Sequence, residues 1–115
     1  MTLTIKKKSD GAIIAQGSEQ EKTAHEFEGN WYFAPDAVDM QYLTITDRTY
    51  TCPYKGTCYW IDLQTPEGRV INAAWVYNNP KPGYEFIKDE IAFYVRNTEV
   101  SLAVSENEQE NAPTS

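Results

Sequence analysis

Residues that build metal or redox centres are scarce: the 115-residue chain has two cysteines and one histidine. Two thiols and one imidazole fall short of the four ligands of a closed structural zinc site unless carboxylates complete it. No metal and no cofactor is therefore expected. No apolar run approaches the roughly 20 residues needed to span a bilayer, and no apolar segment after Met1 reads as a secretory signal. The expectation is a cytoplasmic protein with reduced thiols and no membrane partner. Positive charge is scarce as well, with 10 basic residues against 17 acidic ones and a net charge of −7. Such a balance disfavours long nucleic acids and anionic membranes. It leaves room for a small anion held by one or two local cations. Internal repeats and any long helical period are also absent, and no feature sets an oligomeric state.

What the chain does have is short alternating runs. Its length bounds it to one domain that buries roughly two-thirds of its unfolded surface. Leu3-Thr4-Ile5 and Ile13-Ile14-Ala15 flank Asp10-Gly11, a hairpin signal. Lys6-Lys7-Lys8 ends the first run. It reads as a charged edge that discourages strand addition, with a phosphate patch as the alternative. Gly17 to Lys22 is polar loop, and Glu26 to Phe33 is ring-rich strand material. Pro35-Asp36-Ala37-Val38 suits one helical turn, with Asp36 in its first turn.

Tyr42 to Thr46 and Arg48 to Thr51 read as strands on either side of a bend at Asp47. Tyr59, Ile61 and Leu63 alternate with Trp60, Asp62 and Gln64, and Glu67-Gly68 turns the chain. Ile71, Ala73, Trp75 and Tyr77 are then expected to share one face of a return strand. Asn78 to Gly83 is a break rich in proline and glycine. Ile91, Phe93 and Val95 form one alternating run, and Val100, Leu102 and Val104 form another across a turn at Asn97-Thr98. From Ser105 onward the chain is polar and acidic. The expected organisation is one domain over residues 1–104 and a disordered acidic tail over 105–115. The fold class is mainly β: a small single-domain antiparallel barrel or sandwich with one or two short helical turns. The three tryptophans, eight tyrosines and four phenylalanines all fall between Phe27 and Tyr94, so core and pocket belong to that segment.

The densest stretch is Cys52-Pro53-Tyr54-Lys55-Gly56-Thr57-Cys58-Tyr59-Trp60. Pro53 fixes its own φ, Gly56 permits a positive one, and Tyr54 and Lys55 sit on the tight loop between them. A loop displayed by a β scaffold is where binding and catalytic residues concentrate. Combined with Ala74-Trp75-Val76-Tyr77, Pro80, Ile87 and Ala92-Phe93-Tyr94, the Cys-Pro-Tyr-Lys-Gly motif resembles the domain of unknown function 427 family, often labelled nucleotidyltransferase-like. Trp31 to Val38, and Leu43 ahead of Thr51-Cys52, fit the same pattern, so the resemblance covers about Asp10 to Val104. It implies a small, mostly β, often bacterial domain. Cys58 stands where that family often has a small residue, so the resemblance implies no obligatory Cys52–Cys58 bond. The chain has no glycine-rich phosphate loop, and no pair of acids spaced to hold magnesium on one strand.

Three readings stay open. In the first, the Cys52 to Trp60 loop borders an aromatic-lined pocket for a small planar or anionic, nucleotide-like ligand. Its binding residues would be Tyr54, Lys55, Gly56, Trp60, Trp75, Tyr77 and Tyr94. In the second, the domain is an enzyme, with Cys52 as a nucleophile or Lys55 as the reactive cation. In the third, the aromatic face meets a protein partner. Each residue also has a plainer role. Cys52 and the rings can simply be core, Lys55 can pair with a nearby acid, and His25 can be an exposed loop residue.

Overall fold

The computed structural model describes residues 2–7, 10–66, 68–94 and 102–107. Nine strands run in the order β1 (Thr2–Lys7), β2 (Ile13–Ser18), β3 (Ala24–Phe27), β4 (Asn30–Phe33), β5 (Leu43–Cys52), β6 (Gly56–Thr65), β7 (Gly68–Val76), β8 (Ile91–Tyr94) and β9 (Leu102–Asn107). They form two antiparallel sheets, a three-stranded one ordered β2-β1-β9 and a six-stranded one ordered β3-β4-β8-β7-β6-β5. Neither sheet closes on itself among the described residues, so the two-sheet arrangement is adopted and not the barrel. Among the described residues, three 3-10 turns, Pro35–Ala37, Met40–Tyr42 and Glu85–Ile87, provide the helical content, and no helix is long and apolar enough to cross a membrane.

The main core lies between the sheets. Leu3, Ile5 and Ile14 of the small sheet meet Phe33, Ile61, Leu63 and Phe93 of the large one. Phe33 and Phe93 are fully buried and pack edge to face with centroids 5.7 Å apart. A side chain of that size contributes about 1.5–3 kcal/mol by leaving water. A second cluster sits on the opposite face of the six-stranded sheet. It contains Tyr32, Cys58, Trp75 and Tyr77, and Ile87 from the segment between β7 and β8 packs over it.

The β1–β2 hairpin forms as expected, with Gly11 at φ 76° and the Asp10 carboxylate accepting from the Ala12 N–H at 3.0 Å. Other expectations are corrected. β1 is the central strand of its sheet, flanked by β2 and β9, and is not a charged edge. Lys7 is buried there, with its ammonium 4.2 Å from the Tyr42 ring centroid and 3.2 Å from the Asp10 carboxylate. Glu26 to Phe33 is strand material, as expected, divided between two strands. A two-residue turn at Glu28-Gly29, with φ 54° and 81°, folds it into the β3–β4 hairpin. The two short strands around Asp47 are one strand, β5, whose pairing with β6 shifts register between Ile45 and Thr49.

On β7, Asn72 takes φ 58° and the register slips opposite Asp62. That bulge breaks the expected alternation: Ile71 is 55% exposed, Ala73 joins the inter-sheet core, and Trp75 joins the second cluster with Tyr77. Finally, β9 pairs with β1 and not with β8. Its ladder runs to Asn107, so Ser105, Glu106 and Asn107 are in register with Thr4, Leu3 and Thr2. The turn expected at Asn97-Thr98 and residues 108–115 of the expected tail lie outside the described residues.

Candidate functional site

Cys52 and Gly56 pair across the β5–β6 connection, which turns through Pro53, Tyr54 and Lys55. Gly56 adopts φ 107°, and a side chain there would stand 3.4 Å from the Asn79 carbonyl. This connection docks on the break after β7. The Lys81 N–H donates to the Lys55 carbonyl at 2.9 Å, and the Lys81 ammonium donates to the Pro53 carbonyl at 3.0 Å. Tyr54 points outward and is exposed.

Lys55 turns inward. Its ammonium pairs with the Glu28 carboxylate and lies 5.8 Å from the ring centroids of both Phe27 and Tyr77. Its side chain is 15% exposed, against 48% for Glu28. Burial alone would lower its pKa, but the Glu28 hydrogen bond and charge outweigh this and hold it above the ordinary lysine value. Lys55 is therefore a charged group in an apolar wall, already matched by one acid.

The cysteines beside it differ. At Cys52, burial pushes the thiol up. The backbone N–H groups of Lys55 and Tyr54 and the Lys55 charge pull harder the other way, and the net shift is downward. The Lys55 N–H lies 3.4 Å from its sulfur. At Cys58, burial dominates and raises the thiol, with partial relief from a hydrogen bond to Tyr77. Tyr77 and Tyr32 are likewise pushed up by burial. Both thiols are free.

The rings make a continuous sheet-face layer. Trp60 and Trp75 are a cross-strand pair with centroids 6.0 Å apart, and Tyr32 meets Trp75 edge-on at 6.2 Å. His25 stacks on Tyr32 at 5.7 Å. It is a strand residue, not a loop one, and its Nε2 is 2.6 Å from a Glu90 carboxylate oxygen. Trp60 stays half-buried, whereas Trp75 and Tyr77 are buried. Tyr94 is placed by its backbone pairing with Asn30.

The same face continues along β6 to Asp62. This carboxylate is 1% exposed, pairs with Arg48 and accepts from the Asn72 N–H at 2.9 Å. Its other oxygen has no hydrogen bond and lies 3.9 Å from Arg69. The register shifts in β5 and β7 bring Arg48 and Asn72 to it.

The structure thus gathers Lys55, Gly56, Trp60, Trp75 and Tyr77 at one face and leaves Tyr54 outside. Sequence reasoning took His25 for an exposed loop residue and missed Phe27, Glu28 and Tyr32. The detectable signal was the Glu-Gly pair, which marks the hairpin that carries all four to the face. Two sizeable cavities are lined by described residues. One, of about 470 Å³, borders His25, Phe86 and Glu90, and the other, of about 710 Å³, borders Tyr59, Val76 and Ile91. Neither is lined by the expected binding residues. Among the described residues no group of three or more His, Cys, Asp or Glu side chains is placed to hold a metal.

A family model described as a domain of unknown function, DUF427, matches residues 2–105. The chain belongs to that family. No curated protein matches it. Among solved structures it resembles the crystal structure of the Mis18 'Yippee-like' domain. That match has a TM-score of 0.65 at 10% identity and covers 93% of this chain and 98% of that one. At such identity the likeness concerns the fold alone.

Proposed function

We propose that the domain binds a small planar ligand at the aromatic face of the six-stranded sheet, beside Lys55. The observation that carries this reading is the asymmetry of the Lys55–Glu28 pair. The lysine is enclosed by two rings, while its partner is half exposed. A pair with one exposed member contributes about 0–1 kcal/mol. A ligand carboxylate or phosphate therefore replaces Glu28 at small cost, while the ligand ring covers Trp60 or Phe27. Fluorescence titration with mononucleotides and small aromatic carboxylates tests this. Quenching in the wild type, loss of quenching in Lys55→Ala and tighter binding in Glu28→Gln are expected. No response in the wild type, or capture of a protein partner at this face in place of a small molecule, would reject the reading.

One observation favours an enzymatic alternative, the lowered Cys52 thiol under two backbone N–H groups. Iodoacetamide near neutral pH should then label Cys52 well ahead of Cys58. Equal slow labelling removes this alternative.

A further inference from the structure

The inter-sheet face of the six-stranded sheet has an open end that the aromatic reading does not use. Tyr59, Val76 and Ile91 lie side by side there, paired in one lateral row across β6, β7 and β8. With Ile45, which is 52% exposed, and Met40 on the preceding 3-10 turn, they give a cleft of about 710 Å³ an apolar floor and wall. That volume lies within the roughly 300–1,000 Å³ of small-molecule sites, which combine apolar lining with a few fixed polar groups. Here the charged groups are all of one sign: Asp47 and Asp89 line the cleft, and among the described residues no Lys, Arg or His does. Neither acid has an ion-pair partner among the described residues.

Both acids stand on fixed backbone. Asp89 is held at φ 65° by its N–H, which donates to the Tyr77 carbonyl at 2.9 Å. Such a conformation is strained for a non-glycine residue and persists where the surroundings over-determine it, often at ligand sites. Asp47 follows Thr46, whose hydroxyl donates to the Trp60 carbonyl at 2.8 Å and accepts from the Arg48 N–H at 3.1 Å. Two unmatched carboxylates over an apolar floor attract a cation with an apolar body and repel the corresponding anion.

We propose that this cleft is a second binding site, for a small amphiphilic cation such as an aryl- or alkylammonium. It shares no lining residue with the aromatic site and does not depend on it. The test follows amide chemical shifts of the full chain during titration with phenethylamine, 2-phenylethanol and phenylacetate at neutral pH. The amine should shift residues around Ile45, Val76 and Ile91, the alcohol should bind more weakly and the acid least. Asp47→Asn and Asp89→Asn should each weaken the amine about three- to fivefold, the effect of losing a solvent-accessible ion pair. Ile45→Arg, at a half-exposed position that tolerates change, should abolish binding by placing a competing cation in the cleft. Equal binding of the three probes, shifts confined to another surface, no binding at millimolar amine, or full amine binding in the double Asn variant would each overturn the proposal.

Discussion

The two faces of the six-stranded sheet use alternate residues of the same strands, yet they solve different problems. On β6, Tyr59 and Ile61 face the inter-sheet core, and Cys58, Trp60 and Asp62 face the other way. The inner face is apolar and closed by a second sheet, except at its acidic open end. The outer face has one short segment over it, and it pairs its charged and titratable groups internally: Lys55 with Glu28, His25 with Glu90 and Asp62, through one of its two oxygens, with Arg48. A face without a covering sheet can carry charge because each charge meets its partner within the layer. The inner face owes its stability to packing, the outer face to pairing as well, and the two should respond differently to substitution.

The largest effect is expected on the inner face. Phe93→Ala removes a fully buried ring and its edge contact with Phe33. Urea denaturation should show a loss of about 3–5 kcal/mol. Trp60→Ala, on the half-covered outer face, should cost clearly less. Equal losses would mean that the outer layer is as tightly packed as the inner one.

Asp62 is where the outer face comes nearest to that magnitude. Asp62→Ala strands the Asn72 N–H and frees Arg48 from its clasp across β5, β6 and β7. Loss of a buried hydrogen-bonded charge of this kind costs about 2–4 kcal/mol. Asp62→Asn, which keeps one acceptor, should recover part of that. If alanine and asparagine are equally harmful, the charge itself holds the bulges in place.

These contrasts bear on what the chain reveals of itself. The alternation in β6 and β8 and the Asp10-Gly11 turn are local signals, and they marked strands and faces correctly. Features set by distant partners stayed hidden. The Lys6-Lys7-Lys8 run carries no sign that β9 returns to pair β1, which buries Lys7 mid-sheet. Glu28 lies 27 residues before Lys55, so the neutralisation of the loop cation is a tertiary fact. Asn72 adopts a left-handed φ that asparagine tolerates, and the local bulge leaves Ile71 exposed and turns Ala73 into the inter-sheet core, while Val70 and Ala74 on either side keep one face. Of the candidate site, the motif loop and the rings of β6 and β7 were legible. The β3–β4 contribution was not, because rings on both sides of Glu28-Gly29 read as one stretch of strand material and drew attention away from the turn signal between them.

The two cysteines permit a finer test on the outer face alone. The Cys58 thiol is raised above the ordinary value of 9.0 in the folded state, so the unfolded chain ionises first. Its stabilising contribution is complete below about pH 9 and declines as pH rises beyond that. Tyr77 and Tyr32, also raised, extend the decline above pH 10. Cys52 is lowered, so it acts in the opposite sense just below pH 9. Denaturation midpoints from pH 7 to 10.5 should fall in the wild type and fall less in Cys58→Ala, each referred to its own value at pH 7. A Cys52→Ala variant should fall at least as steeply as the wild type. Identical profiles for all three proteins would place the alkaline sensitivity elsewhere.

The smallest effect separates binding from folding at Lys55. The Lys55 backbone is held by Lys81 and by the Gly56 turn, independently of its own side chain. Truncation removes an ion pair whose other member is half exposed, together with ring contacts at 5.8 Å. Lys55→Ala should therefore cost under about 1 kcal/mol of stability. A charge-assisted contact to an anionic ligand in the same place contributes about 1.5–3 kcal/mol. Melting and ligand titration on the same variant should thus diverge, with a small shift in Tm and a loss of affinity of tenfold or more. A loss of several kcal/mol in stability would instead make Lys55 a structural partner of Glu28, and the outer face would then be a second core with no place for a ligand at that lysine.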